Sequence, residues 1–376
     1  MLKIILLLNL ILLCQTSFAA RSNPIAPKVA AKGYFLFDMN SEQVLAEKNA
    51  DERLEPASLT KIMTAHVIFQ EIKEGNMNLD DQVIISKKAW KTEGSRMFIE
   101  VNKKVSVENL LKGMIIQSGN DAAVALAEHA AGSEEAFSQL MNETAKNLGM
   151  THSAFQNATG LPAKDHYTTA RDIAKVTAAT IRDFPDFYEW YKIKHFTFNK
   201  IKQPNRNRLL WRDKDIDGVK TGHTKAAGYC LVASGQKEDT RLISVILGTK
   251  SDNARMDESQ KILNFGFRFY ETHKIYDAHK ALTKVRVWKG SIEQLSLGIA
   301  KDLYVTIPRK QYKNLKPQMK LNKPVMAPKR KGDIIGKIEL KMGTQTIKSI
   351  PLLALKKVDE GGFFHNLVDA VKLYFE

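Results

Sequence analysis

Cysteine is nearly absent. Cys14 and Cys230 are the only two in 376 residues, and Cys14 falls inside an apolar run near the N-terminus. Removal of that run would leave Cys230 alone. No intramolecular disulfide could then form, and the fold would rest on its core. Cys230 lies in an apolar stretch and reads as a packing residue, not a nucleophile. Metal-ligand spacing is absent too. His152, His166, His195 and His223 are scattered without zinc-type spacing or an acidic partner, and His166 and His195 read as surface or packing residues. Neither a metal nor a cofactor is expected. Nucleic-acid-binding motifs, internal repeats and low-complexity segments are also lacking, so no nucleic-acid partner is expected.

Positive charge is plentiful. The chain carries 57 Lys plus Arg against 41 Asp plus Glu, a formal net charge of +16. Such a surplus suits an anionic polymer or a lipid surface, but it is spread along the chain and a generally basic surface accounts for it equally. The length exceeds one ordinary compact core, so two domains are expected.

The N-terminus is specific. Lys3 precedes the apolar run Ile4–Leu13, and small residues follow at Ser17, Ala19 and Ala20. A positive start, an apolar stretch and a small-x-small exit predict a secretory signal over 1–20, cleaved after Ala19 or Ala20. An uncleaved N-terminal anchor is the alternative. Leu13 stands before Cys14 where a lipoprotein signal wants a small residue, which argues against lipidation.

After a linker over 21–30, GYFLFD at 33–38 reads as a core strand, with a second strand at 43–46. Leu59, Ile62, Met63, Val67 and Ile68 follow helical spacing up to Gly75. The stretch 106–148 is helical, opened by Ser106 as N-cap and broken at Ser118-Gly119-Asn120. Thr169 to Asp172 has capping-box form and opens another helix. Strands are expected at 193–201, 216–223, 228–234 and 241–249, then a helix over 256–271. This order predicts an α/β domain over 21–275, a mixed, largely antiparallel sheet covered by helices with a helical insertion. From 276 to 357 short alternating runs with Pro and Gly between them predict a small all-β domain.

The last segment, 358–376, carries an amphipathic helix. On a helical wheel Phe363, Phe364, Leu367, Val368, Ala370, Val371, Tyr374 and Phe375 share an arc of about 160°, and only Leu373 falls on the polar side. The segment is too short to span a bilayer. It can lie in a membrane interface or pack on a protein surface, and its aromatic content favours the membrane.

Three short patterns carry the chemistry: Ser58-Leu-Thr-Lys61, Ser118-Gly-Asn120 and Lys220-Thr-Gly222. Ser58 would open a helix, where backbone N–H groups and the helix dipole favour developing negative charge. Lys61 follows one turn later on the same face. It can serve as a base only with a depressed pKa, which burial and a second cation such as Lys220 would supply. Ser118, on a turn between helices, could relay a proton. Asn120 offers an amide to a substrate amide. Lys220-Thr221-Gly222 would form a strand edge that a ligand approaches closely. The N–H of Ser58 and one from that strand could bind an oxyanion. Two decoys exist. Ser234-Gly-Gln-Lys237 repeats the first pattern at a strand end, and Ser251-Asp-Asn253 imitates the second but follows the lysine motif.

In this order the three patterns resemble the low-molecular-mass penicillin-binding proteins, and more specifically the D-alanyl-D-alanine carboxypeptidases. The resemblance covers about 28–376 and includes Gly94-Ser-Arg-Met-Phe98, Gln117 to Ala122, Lys220 to Thr224 and Asn264 to Phe269. It implies a transpeptidase/β-lactamase-like domain, a β-rich domain and an amphipathic membrane helix. It implies Ser58 as acylated nucleophile, Lys61 as its base, Ser118 in proton transfer and Asn120 in substrate positioning. Lys220, Thr221, Gly222 and His223 would line the substrate strand, with the His223 N–H joining that of Ser58 in the oxyanion hole. Arg255 would meet the terminal carboxylate. Where this chain has Ser95-Arg96, a Ser-Ser pair is more usual in the family. Peptidoglycan stem peptides would be substrates, β-lactams inhibitors, and the periplasmic face of the inner membrane the location. Two other readings are weighed. A class A β-lactamase would need a deacylating Glu, which Glu143 and Asn147 mimic in part. A non-catalytic wall-binding protein would leave the chemical groups idle.

Overall fold

A computed structural model describes residues 24–375. The expected signal segment and Cys14 lie outside the described residues. The first body is built on a sheet of β1 (Gly33–Asp38), β2 (Val44–Lys48), β3 (Ile216–Thr224), β4 (Gly228–Lys237) and β5 (Thr240–Thr249). Its spatial order is β2-β1-β5-β4-β3, with every pairing antiparallel. The alternation of a strand sends neighbouring residues to opposite faces. Phe35, Phe37, Val232, Ile243 and Val245 join the core on one face, and Leu36, Leu231, Leu242 and Ile246 the core on the other.

Helices cover both faces. On one lie α1 (Thr60–Lys73), α2 (Val107–Lys112), α3 (Asn120–Ala131), α4 (Glu134–Asn147) and α5 (Ala170–Asp183). Their starts follow from local chemistry. Ser106, Ser133 and Thr169 each accept a hydrogen bond from the backbone N–H three residues on. Thr60 to Phe69 of α1 are all buried, so this helix runs through the middle of the body and has no solvent face over that stretch. The other face carries α6 (Asp252–Phe269), whose Ile262 and Leu263 pack on the sheet. It starts four residues before the 256 expected from periodicity, because Ser251 caps it through the Ala254 N–H.

Helix α6 runs straight into β6 (Tyr270–Tyr276), whose first two residues fall within the 256–271 stretch expected to be helix. There follow β7 (Thr283–Arg286), β8 (Gln294–Gly298), β9 (Leu303–Pro308), β10 (Leu315–Leu321), β11 (Ile334–Met342) and β12 (Gln345–Ala354). Strand β6 pairs with β9, and a second five-stranded sheet has the order β7-β8-β12-β11-β10. Its core includes Leu295, Leu297, Ile338, Leu340 and Leu352. A buried polar contact joins the two bodies: the Asp38 carboxylate accepts from the Thr272 hydroxyl at 2.9 Å.

The chain closes with α7 (Phe363–Tyr374). This helix docks by its polar side. Asp369 is 2% exposed and accepts from Arg286 Nη2 at 3.0 Å and from the Lys289 N–H at 2.7 Å. The apolar arc faces outward instead, with Phe363, Phe364, Leu367, Val368, Val371, Tyr374 and Phe375 all exposed. Leu373, the residue out of place on the wheel, is half-buried one turn beyond Asp369.

Candidate active site

The strand-helix junctions bring together residues far apart in sequence. Ser58 lies in a short 3-10 turn (Ala57–Leu59) that leads into α1. Ala57 before it adopts φ +46°. Such a left-handed residue is unusual outside glycine and marks a turn held by its surroundings. Lys61, three residues on, is 1% exposed. Its Nζ donates to Ser58 Oγ at 3.2 Å, to Asn120 Oδ1 at 2.6 Å and to the Thr159 carbonyl at 2.5 Å.

Asn120 is the first residue of α3 and projects into the same space. Its amide is committed at both ends, since Nδ2 donates to the Glu93 carbonyl at 2.5 Å. Ser118 ends a π turn, Gly113–Gln117, and takes a left-handed conformation with φ +70°. A π turn adds a residue to the helix and commonly re-aims side chains near functional sites. Ser118 is 4% exposed.

The third pattern lies on β3, at the edge of the first sheet. This edge runs against the Ser58 turn, and Gly222 makes the approach possible. A Cβ there would lie 3.1 Å from the Pro56 carbonyl oxygen and 3.2 Å from Ser58 N. Lys220 is 2% exposed and its Nζ donates to the Thr221 carbonyl at 3.0 Å. Thr221 is buried, while His223 is exposed with its ring 4.0 Å from that of Tyr229.

Arg255, in the first turn of α6, stands behind this strand. Its Nη1 donates to the Gly222 carbonyl at 3.0 Å and its Nη2 pairs with Asp252. Its buried Nε makes no hydrogen bond among the described residues. Arg255 therefore fixes the strand backbone and keeps one donor in reserve.

Burial sets the protonation chemistry. Removal from water disfavours an ammonium ion, and this brings Lys61 down to about 7, against a smaller opposing pull from Asp121 and Glu134. Lys220 is pushed well below its ordinary value, first by burial and then by repulsion from Lys61, Arg255 and Arg206. The sequence assigns Lys220 the part of depressing Lys61. In the structure burial is the main cause at Lys61, and the repulsion between the two falls on Lys220.

Other contributors were not read from the sequence. The Asp121 carboxylate accepts the N–H groups of Met97 and Phe98 at 3.0 Å each and of Ile99 at 3.3 Å, and so holds the 94–99 loop over Asn120. In the sequence Asp121 stands only within the Gln117 to Ala122 stretch, with no role assigned to it. The Thr159 and Glu93 carbonyls are backbone groups with no sequence signal. Arg96, in the Ser95-Arg96 pair, turns away and donates to the Thr92 and Lys91 carbonyls. The decoy partners Glu143 and Asn147 are exposed on α4.

A helix-borne serine, a buried lysine of lowered pKa and a sheet edge together define an active-serine hydrolase of the penicillin-recognising fold. Two family models match the chain: D-alanyl-D-alanine carboxypeptidase over 19–251, and penicillin-binding protein 5, C-terminal domain, over 270–360. The chain belongs to the D-alanyl-D-alanine carboxypeptidase family of serine peptidases. It is 47% identical to D-alanyl-D-alanine carboxypeptidase DacC of Escherichia coli, over 97% of this chain and 94% of that protein. Among solved structures it resembles penicillin-binding protein 5 from Haemophilus influenzae, with a TM-score of 0.87, 41% identity and coverage of 90% of this chain and 100% of the other. It also resembles penicillin-binding protein D2 from Listeria monocytogenes in its ampicillin-bound form, with a TM-score of 0.60, 27% identity and coverage of 65% and 100%. Its activity is that of a D-alanyl-D-alanine carboxypeptidase.

Proposed function

We propose that the enzyme removes the terminal D-alanine from peptidoglycan stem pentapeptides through an acyl-enzyme on Ser58. Neutral Lys61 takes the Ser58 proton as Oγ attacks the penultimate D-alanine carbonyl. The N–H groups of Ser58 and His223 receive the oxyanion. Lys61 passes that proton on through Ser118 and Lys220 to the leaving amine, which departs as D-alanine, and Lys61 is neutral again. Water then attacks the ester carbonyl, its proton returns through Lys61, and Ser58 is restored. Asn120, Thr221 and Gly222 position the peptide along β3, and Arg255 supplies positive potential for its terminal carboxylate. β-Lactams enter as mimics of this peptide and leave a slow ester, in keeping with the ampicillin-bound relative.

The observation that carries the reading is Lys61 Nζ at 3.2 Å from Ser58 Oγ, buried and lowered to about 7. Mass spectrometry after penicillin treatment tests it. The adduct is expected on the peptide holding Ser58, with none in Ser58→Ala, and D-alanine should be released from a pentapeptide. An adduct elsewhere refutes the assignment.

The catalytic unit is placed at 21–275 and the β-rich unit at 276–357, with β6 bridging them. The signal over 1–20 sends the protein to the periplasm. The segment 358–376 attaches it to the outer leaflet of the inner membrane. Support for attachment comes from α7, which turns its apolar arc to the outside while Asp369 pins its polar side. A helix packed for stability alone would bury the apolar side. Deletion of 363–376 is expected to release the protein from membranes with its soluble activity kept; continued sedimentation with membranes refutes the anchor.

A further inference from the structure

The second sheet nearly closes on itself. Past β7, the Trp288 N–H donates to the Val325 carbonyl at 2.8 Å, and the Ala327 N–H to the Trp288 carbonyl at 2.9 Å. Beside this seam lies a cavity of about 500 Å3, walled in part by Leu373 of α7. Three cations line it, Lys284, Arg286 and Lys323, and among the described residues no acidic one does. Trp288 forms part of its floor, with the Arg286 guanidinium 3.9 Å from the ring centroid. The Asp369 carboxylate of α7 is already held by Arg286 and the Lys289 N–H.

Two properties meet at this place. The cavity is cationic, with one guanidinium held by Asp369 and two exposed ammonium groups, which suits a phosphodiester. Its wall is also the helix whose opposite side presents Phe364, Leu367, Val371 and Phe375 to the outside. An occupant could place an anionic head among Lys284, Arg286 and Lys323 while its apolar chains run along that exposed arc. A soluble anion would use only the first property. We infer that the cavity between α7 and the β7 edge binds the headgroup of an anionic phospholipid. The inference rests on the interfacial reading of α7 given above. By this means the second body fixes the enzyme on the bilayer in one orientation, through a headgroup as well as through apolar burial.

Flotation with vesicles tests it at low ionic strength, where screening is weakest. The chain from Arg21 onward contains every described residue and is mixed with vesicles of phosphatidylcholine alone or with added phosphatidylglycerol. The unaltered protein should bind both and prefer the anionic ones. Lys284→Gln with Lys323→Gln changes two exposed side chains, and should lower the affinity for anionic vesicles on the order of tenfold or more, with neutral vesicles bound as before. A matched pair on the catalytic body, Lys146→Gln with Lys164→Gln, should keep the preference. An unchanged preference in the first pair, or an equal loss in the second, overturns the headgroup site. So does equal binding of the unaltered protein to both vesicles, which leaves the anchor standing. Binding to neither overturns the anchor and the headgroup site together.

Discussion

The lowered pKa of Lys61 makes a quantitative demand on the pH dependence of acylation. At an ordinary value of 10.5, roughly one lysine in 3,000 would be neutral at pH 7. At about 7, close to half are neutral, a gain of about three orders of magnitude in available base. In the proposed mechanism the neutral form is the active one. Acylation by a fluorescent penicillin should therefore rise tenfold per pH unit on the acid side, bend near pH 7 and level off above. Lys61→Arg keeps the charge but cannot lose its proton, and should cost about two to four orders of magnitude. Lys61→Met separates chemistry from folding. A shift of this size holds roughly 5 kcal/mol against the charged form. The unfolded chain keeps its proton and the native one releases it, so stability gains from this group as pH rises from about 7 to 10.5. Methionine removes that cost but leaves Asn120 Oδ1 and the Thr159 carbonyl without their donor, at roughly 1–3 kcal/mol each. The two terms nearly cancel near pH 7, so the melting temperature should move little while acylation collapses. An acylation rate still climbing at pH 9, or either variant within tenfold of the unaltered enzyme, would refute Lys61 as the base.

Asp121→Asn should shift the bend in the same profile to lower pH, because its charge opposes the loss of the Lys61 proton. It should also loosen the 94–99 loop, seen as faster hydrogen exchange at Met97 and Phe98. Gly222→Ala should push β3 away from Ser58 N and lower acylation at least tenfold with the fold intact by circular dichroism. Unchanged acylation would show that the close approach is idle. Asp369→Ala should free α7, exposing 361–363 to limited proteolysis without slowing acylation; equal resistance to cleavage would show that the pin is not what holds the helix.

The legible parts of this protein are those where a side chain carries the signal. Caps at Ser106 and Thr169, the unbroken apolar run of β1 and the order of the three patterns all come from residue type along the chain. What escaped was written in backbone. The Thr159 and Glu93 carbonyls that orient Lys61 and Asn120 could belong to any residue. The π turn before Ser118 depends on how α2 and α3 meet, and Gly119 marks only a break. Strand β10 was missed because it is an exposed edge bearing Lys316, Pro317 and Lys320, devices that keep an edge from pairing further and erase the alternation. Leu373 falls on the polar side of the wheel, and the wheel alone does not say what that side meets. That side faces the second body, where Leu373 is half-buried.

The decoys show what a short pattern does not contain. Ser234 and Lys237 share the spacing of Ser58 and Lys61, yet they lie on β4. Three residues along a strand reverse the side chain to the opposite face, whereas three along a helix return it to the same one. Ser234 is accordingly fully buried and accepts from Arg241 at 3.0 Å, while the Lys237 ammonium reaches out to Asp215 at 2.9 Å. Ser251 resembles the second pattern and spends its hydroxyl capping α6. A serine and a lysine three residues apart thus meet only when a helix stacks them, and the amine gives up its charge only when a core strips it of water. Both conditions hold at Ser58 and Lys61, and at Ser234 and Lys237 neither does.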